Sequence, residues 1–275
     1  MASTPSPMSM VRAFAPGKCI LFGEHAVVYG HPAVAVAIDS GVEVELTESD
    51  SWTIEGKSFD ASRHPHISHV LNDVFSYDGA PLRMEIRSGL FSAAGLGSSA
   101  AISNAMSAAV QSLMRPEEEI DSIALARIGH AAEAKAQAGR ASPTDSATSA
   151  LGGCVVVSGN RVAGARHIFD AELETPEGRR EWSVCKVDLP EGIDAWLVLG
   201  FTGIGSPTGE MVAGVARLLE NDPSKYEDMD AIAKITEAGL TALGAALDSA
   251  TRRAKMVSLC SKMEDAVTAA SRTSA

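Results

Sequence analysis

The sequence is poor in cysteine. Four of its 275 residues, Cys19, Cys154, Cys185 and Cys260, stand far apart with no Cys-x-x-Cys pair, which argues against a disulfide framework and suits reduced core thiols in a cytoplasmic protein. Aromatic residues are also scarce, 5% of the chain against 45% hydrophobic, so the core has to be packed from small side chains, Ala and Gly among them. No block of basic residues appears, and the formal net charge is -12. That excludes a nucleic-acid binder, because phosphate backbones are held by clustered Lys and Arg, and it obliges any phosphorylated ligand to find local donors. No apolar run approaches a membrane span, and the opening MASTPSPMSM has neither the basic start nor the apolar stretch of a signal peptide. Residues 1–10 are expected to form a loose tail.

What is present describes a soluble α+β protein, long enough for two lobes with a cleft between them. VRAFA, HPAVAVAI and VEVELTE are strand-like, the last with Val42, Val44 and Leu46 on one face, and LRMEIRS repeats the alternation through Leu82, Met84 and Ile86. HPHISHVLNDVF between them reads as a short amphipathic helix. A helix follows the glycines of AAGLGSSAA, with Ile102, Met106, Ala109 and Leu113 as its stripe. Residues 117–138 are expected to form the next helix, with the three glutamates of RPEEEI in its first turn and Ile120, Ile123, Ala124, Ile128 and Ala131 along its buried face. CVVVSG reads as a strand, a polar stretch runs to about residue 180, AWLVLG reads as a buried strand, and EMVAGVARLLE as a helix.

Three stretches could carry chemistry. GLGSSAA places backbone amides at a helix N-terminus, where glycines let an anion approach, and the hydroxyls of Ser98 and Ser99 are potential Mg²⁺ or phosphate ligands. It lacks the GK[ST] of a P-loop, and tight packing alone also accounts for it. In GHAAEAKAQAGRASPTD, helical spacing turns Glu133 away from the Ile120/Ile128 stripe, toward solvent, while Asp145 suits a turn or an N-cap. In PGKCILFGEHAVVYG, Lys18, Glu24 and His25 interrupt a run that otherwise looks buried, and each needs water or a partner to offset desolvation. A structural ion pair and a binding site both satisfy that requirement.

Taken together, these stretches resemble the three corresponding segments of the GHMP kinase superfamily, in the form found in archaeal-type mevalonate kinases. The resemblance implies a two-lobed fold: an ATP-binding lobe of ribosomal S5 domain 2-like type over residues 11–158 and a ferredoxin-like lobe over 159–275. It implies ATP-dependent phosphorylation of the C5 hydroxyl of mevalonate in isoprenoid synthesis, with Mg²⁺, and leaves another small-molecule kinase of the superfamily or a catalytically impaired nucleotide binder as alternatives. By the same resemblance, Asp145 accepts the proton of the attacking hydroxyl and Lys18 stabilises charge on the transferring group. Gly95, Leu96, Gly97, Ser98, Ser99 and Ala100 cradle the phosphates, Ser99 and Glu133 hold Mg²⁺, and Glu24, His25 and Thr202 contact mevalonate. A cytoplasmic location, a homodimer and feedback by prenyl diphosphates are implied on the same footing, without nucleic acid or membrane as partner.

The chain departs from that pattern in two places. Phe91 and Ser92 stand where the second motif usually opens with Pro and a small residue, and no glycine follows Gly244, so the third, glycine-rich motif is lacking and the second lobe reads as shortened. There AALDSATRRA reads as a helix and KMVSLC as the strand after it, with no turn residues between them. One continuous helix is the other reading, since Met256, Cys260, Met263 and Val267 fit helical spacing.

Overall fold

A computed structural model describes residues 10–137, 139–176, 178–189, 196–205, 208–244 and 249–271. The tail expected over residues 1–10 lies outside them except for Met10, which opens β1 (Met10–Phe22). β2 (Ala33–Glu48) is a single strand of 16 residues, so the two strand-like segments around Gly41 are continuous. It pairs with β1 along one edge. Its other edge takes β5 (Leu82–Ser88) along residues 42–48 and β6 (Cys154–Ser158) along residues 33–36. β3 (Thr53–Ile54), β4 (Lys57–Ser58), β7 (Arg166–Thr175) and β8 (Gly178–Val187) complete a sheet of order β4-β3-β5-β2-β6-β8-β7, with β1 on β2. All pairs are antiparallel except β3 with β5.

β7 and β8 replace the polar stretch expected up to residue 180. Their alternation is visible in Phe169, Ala171, Trp182 and Val184, which are buried on one side, but the intervening charged residues face outward and mask it.

Helices cover the sheet on both faces. A short helix, α1 (Pro65–Ser68), runs on as a π-helical turn over His69–Val74, and with α2 (Ser98–Met114) it packs on Val42, Val44, Leu46, Leu82 and Met84. α2 is buried along most of its length, as its small residues suggest. α3 (Ser122–Ala136) and α4 (Thr144–Leu151) pack on Val155, Val157, Phe169, Trp182 and Val184. The alternate residues of β6 and β8, Cys154, Val156, Cys185 and Val187, face α5 (Thr208–Asn221), α6 (Tyr226–Gly244) and α7 (Ser249–Ser271). β6 is thus apolar on both faces, which is why CVVV has no polar alternation. Each fully buried Val, Leu or Phe here contributes about 1.5–3 kcal/mol. α6 approaches β1 so closely that a β-carbon on Gly239 would lie 2.6 Å from the Phe22 ring.

Three expectations are corrected. α3 begins at Ser122, because the Asp121 carboxylate caps it by accepting from Ile123 N at 2.8 Å; the three glutamates lie in an exposed turn before it, and Ile120 is 40% exposed. The strand expected at AWLVLG is absent among the described residues. Residues 196–200 have no strand partner, and Trp196 and Val198 are 90% exposed; Ala195 lies outside the description. KMVSLC is helical, part of α7, where Met263 is buried and Met256 half-buried against the cluster shared with α6; the side chains of Cys260 and Val267 lie outside the description. With no neighbouring strand to pair with, the helical spacing of these residues prevails.

Candidate active site

The first motif is held by backbone contacts. The β1–β2 register shifts between Pro16 and Lys18, and Gly17 sits at the irregularity because a β-carbon there would meet Leu90 Cδ2 at 2.6 Å and Leu96 O at 2.9 Å. Lys18 N donates to Leu96 O at 3.0 Å, joining this strand to the glycine loop. Beyond β1, Gly23 (φ +88) turns the chain where a β-carbon would lie 2.1 Å from Pro32 O. Glu24 is exposed and His25 half-buried at φ 64, leading into a 3-10 turn over Ala26–Tyr29 that is pinned by Trp182 Nε1 donating to Val27 O at 2.8 Å.

The Lys18 side chain is buried, 3% exposed, with Nζ 3.1 Å from Asp145 Oδ1. Burial pulls its pKa down, but Asp145, Glu24, the hydrogen bond to Asp145 and Glu133 together outweigh it and hold the ammonium above its ordinary value. Lys18 therefore stays charged inside the protein.

Asp145 sits in the first turn of α4 and caps nothing there; its carboxylate is committed to Lys18. Two contacts fix α4: Asn104 Nδ2 donates to Ser146 O at 2.9 Å, and a ring nitrogen of His130 meets Ala141 O at 3.1 Å. α3 lies against both neighbours at Gly129, where a β-carbon would be 2.6 Å from Asn104 Oδ1 and 2.9 Å from Ser146 Cβ.

The buried face of α3 runs Ala126, Gly129, His130, Glu133, a helical i, i+3, i+4, i+7 series that opens on two small residues. Glu133 is consequently buried, 4% exposed, and the solvent-facing placement read from the isoleucine stripe is wrong. Its carboxylate has no hydrogen-bond or ion-pair partner among the described residues. Burial pushes its pKa well above the usual carboxylate range, Asp145 adds to the shift, and Lys18 opposes it.

The glycine loop closes the site. Gly95 (φ 71) and Gly97 (φ 69) are left-handed, and Ala93 shares that conformation at φ 52. α2 begins at Ser98, so the amides of Ser98, Ser99 and the buried Ala100 stand in its first turn, without intrahelical partners. A cavity of about 310 Å³ lies between Gly95–Ser99, Glu133, Asp145 and His66. A smaller lobe of about 70 Å³ is lined by Lys18, Glu24, His25, Gln137, Arg140 and Asp145. The lobes share Gly95, Glu133, Gln137, Asp145 and Thr208, and are parts of one cleft.

The structure thus gathers Lys18, Glu24, His25, the glycine loop, Glu133 and Asp145. It does not bring Thr202 to the lining; its hydroxyl accepts from Ile204 N at 3.4 Å. Phe91, at the loop entrance, stacks on Phe201 with ring centroids 5.3 Å apart. Sequence reasoning missed His66, Arg140 and Thr208. Arg140 lay within the stretch examined for its acids, whereas His66 carried no local signal beyond a histidine-rich helix.

The donor set suits a hard divalent cation: an unpaired buried carboxylate, a second carboxylate and two serine hydroxyls around a cavity open to phosphate oxygens. Among the described residues no three His, Cys, Asp or Glu side chains cluster as a metal site by themselves, so such an ion would depend on ligand oxygens.

Residues 66–153 match the GHMP kinases N terminal domain. The chain is 32% identical over 232 residues to a mevalonate kinase of Methanothermobacter thermautotrophicus, covering 82% of this chain and 68% of the relative. To a mevalonate kinase of Archaeoglobus fulgidus it is 35% identical over 231 residues, with 82% and 70% covered. A crystal structure of L. major mevalonate kinase in complex with R-mevalonate shares the fold, with TM-score 0.65, 19% identity, and coverage of 98% of this chain and 78% of that one. By sequence and fold together, this chain belongs to the GHMP kinases and, within them, to the mevalonate kinase family.

Proposed function

We propose that the protein transfers the γ-phosphoryl group of ATP to the C5 hydroxyl of mevalonate, releasing ADP and 5-phosphomevalonate. The observation that carries this reading is the pair of buried Lys18 and half-buried Asp145, whose carboxylate lines both the glycine-loop lobe and the smaller lobe. Phosphoryl transfer asks the protein to position two partners and to neutralise charge, and these residues suffice for that.

The phosphates lie against the amides of Gly95–Ala100, with the γ-phosphoryl directed at Lys18. Ser99 and Glu133, and Ser98 beside them, would hold Mg²⁺, which when bound neutralises phosphate charge and relieves the buried Glu133 carboxylate. The acceptor occupies the smaller lobe, its hydroxyl donating to Asp145, which takes the proton as the O–P bond forms. Lys18 stabilises both the developing alkoxide and the transferring group. Mevalonate carries a carboxylate, and Arg140 and His25 line that lobe with N–H groups that can donate to it, with Glu24 placed to accept from its tertiary hydroxyl.

The test is ADP release with ATP and Mg²⁺, comparing mevalonate with phosphomevalonate, homoserine and galactose. Release with mevalonate alone is the expected result. Release with another acceptor alone would reassign the substrate, and ATP binding without release with any of them would remove the enzymatic reading for this chain.

A further inference from the structure

A recess of about 200 Å³ lies beside the glycine loop, and the transfer chemistry leaves it unused. Cys19, Ile20, Phe91, Leu96, Leu199 and Phe201 line it, and Glu24 is its only charged residue. Two contacts build its outer wall. The Phe91 and Phe201 rings stack with centroids 5.3 Å apart and planes 16° apart, and Gly205 passes so close to the loop that a β-carbon on it would lie 3.0 Å from Ala93 Cβ. Residues 199–201 are thus laid against the loop although they have no strand partner. Phe91 is also a residue at which the second motif departs from the family pattern, so the ring that closes the recess is this chain's own. Ala94, Gly95 and Leu96 line both the recess and the larger lobe, which makes the loop the partition between those two. Toward the smaller lobe the recess is bordered by Ile20, Glu24 and Gly95, which line both.

In the acceptor reading above, Glu24 accepts from the tertiary hydroxyl of mevalonate, and the carbon bearing that hydroxyl, C3, also bears the methyl group. The carboxylate of mevalonate goes to Arg140 and His25, and its C5 hydroxyl to Asp145. The methyl is the substituent left to face the recess across Glu24. The charge of Glu24 keeps a second carboxylate out of the recess, while the aliphatic and aromatic side chains around it favour an alkyl group. A cavity of about 10–15 Å³ holds a water, and a methyl group is little larger. The methyl of mevalonate therefore leaves most of the recess empty. We propose that the recess is a subsite for the C3 substituent of the acceptor and that it admits alkyl groups longer than methyl. The chain is then a kinase for a class of 3-alkyl-3,5-dihydroxy acids, with Phe91, Leu199 and Phe201 setting the length accepted. This extends the mevalonate reading and rests on it.

The experiment follows ADP release from ATP and Mg²⁺ by the full chain with mevalonate and with its 3-ethyl and 3-propyl analogues of the same configuration at C3. The analogues are expected to be phosphorylated with a KM no higher than that of mevalonate, and lower by up to about fourfold for each methylene buried. A site closed around a methyl group would instead reject the ethyl analogue by about 10- to 200-fold in kcat/KM. A KM for the ethyl analogue above that of mevalonate overturns the proposal. Leu199→Trp, at a residue outside the transfer machinery, fills the recess from its outer wall. It is expected to keep mevalonate turnover within about twofold while kcat/KM for the propyl analogue falls by about tenfold or more. Undiminished propyl turnover in a variant that still phosphorylates mevalonate would place the alkyl chain elsewhere and also overturn the proposal. The analogue series is read on the wild-type chain, so it decides the matter even if the variant fails to fold. Turnover of mevalonate with poorer binding of the analogues sinks this proposal alone, whereas a wild type that does not phosphorylate mevalonate sinks the acceptor reading and this proposal with it.

Discussion

Lys18 passes over Gly97 so closely that a β-carbon on the glycine would lie 2.9 Å from Lys18 Cγ and 3.2 Å from Cε. The same β-carbon would be 3.5 Å from Asp145 Oδ2, so three motifs meet at one atom-sized gap. Gly97 is also left-handed, at φ 69. Gly97→Ala is therefore expected to cost about 1–2 kcal/mol of stability from backbone strain and to shift the ammonium off Asp145. Denaturant unfolding reads the first effect and kcat the second. A variant with wild-type kcat would mean that the lysine has room to move without consequence.

Asp145→Asn keeps the shape of the side chain and removes its ability to take a proton. Turnover is expected to fall by about 10²–10⁴-fold, in the range of general-base removal, while the far-ultraviolet circular dichroism stays unchanged. Lys18→Met is expected to be at least as damaging, because it also removes the charge that opposes protonation of Glu133. Single-turnover rates at saturating ATP and acceptor separate these effects from binding. Wild-type rates in either variant would take that residue out of the chemistry.

Glu133 yields a prediction about pH. Its native pKa is raised above the unfolded value, so between the two the native state holds more protons, and stability falls as pH rises through that window. Glu133→Gln removes this penalty. The ligand-free variant is expected to be more stable than the wild type at pH 7 to 8, less distinguishable from it below the ordinary carboxylate range, and inactive with MgATP. Thermal unfolding in the presence of a chelator, followed across pH, measures the first two. Equal stability at every pH would show that the carboxylate is relieved by a route other than a bound cation.

The same residue shows what was legible in the sequence and what was not. Lys18 and the glycine loop stood out because their residue types are unusual for their surroundings, a lysine in a buried strand and glycines before a helix, whereas Asp145 read as a turn or N-cap residue and was singled out only by the resemblance. Glu133 was misplaced because large residues were taken to mark the buried face of α3. Here the face toward α2 and α4 is the small one, Ala126 and Gly129, and it admits a carboxylate because helices meeting at glycine leave a cleft at their ends. The β7–β8 hairpin escaped notice because its outward residues are nearly all charged, Asp170, Glu172 and Glu174 on one strand and Arg179 and Glu181 on the other. AWLVLG failed for the opposite reason: its apolar run is strand-like, but a strand exists only where a neighbour accepts its hydrogen bonds.

Gly129 offers the sharpest separation of packing from chemistry, since it touches no ligand-lining atom itself. A methyl there would meet Asn104 Oδ1 at 2.6 Å and Ser146 Cβ at 2.9 Å, the two groups whose neighbours Asn104 Nδ2 and Ser146 O join α2 to α4. The amide of Asn104 and the backbone of α4 cannot both yield, so Gly129→Ala is expected to destabilise the fold by about 1–3 kcal/mol, the usual range for overpacking. Asp145 is the residue before Ser146, so the displaced helix would also carry the carboxylate away from Lys18. Turnover should fall while the affinity for ATP, which depends on the glycine loop before the first turn of α2 rather than on the position of the α4 carboxylate, changes little. Equal losses in ATP affinity and turnover would mean instead that the three helices move as one body and that the Gly129 contact does not position Asp145 separately.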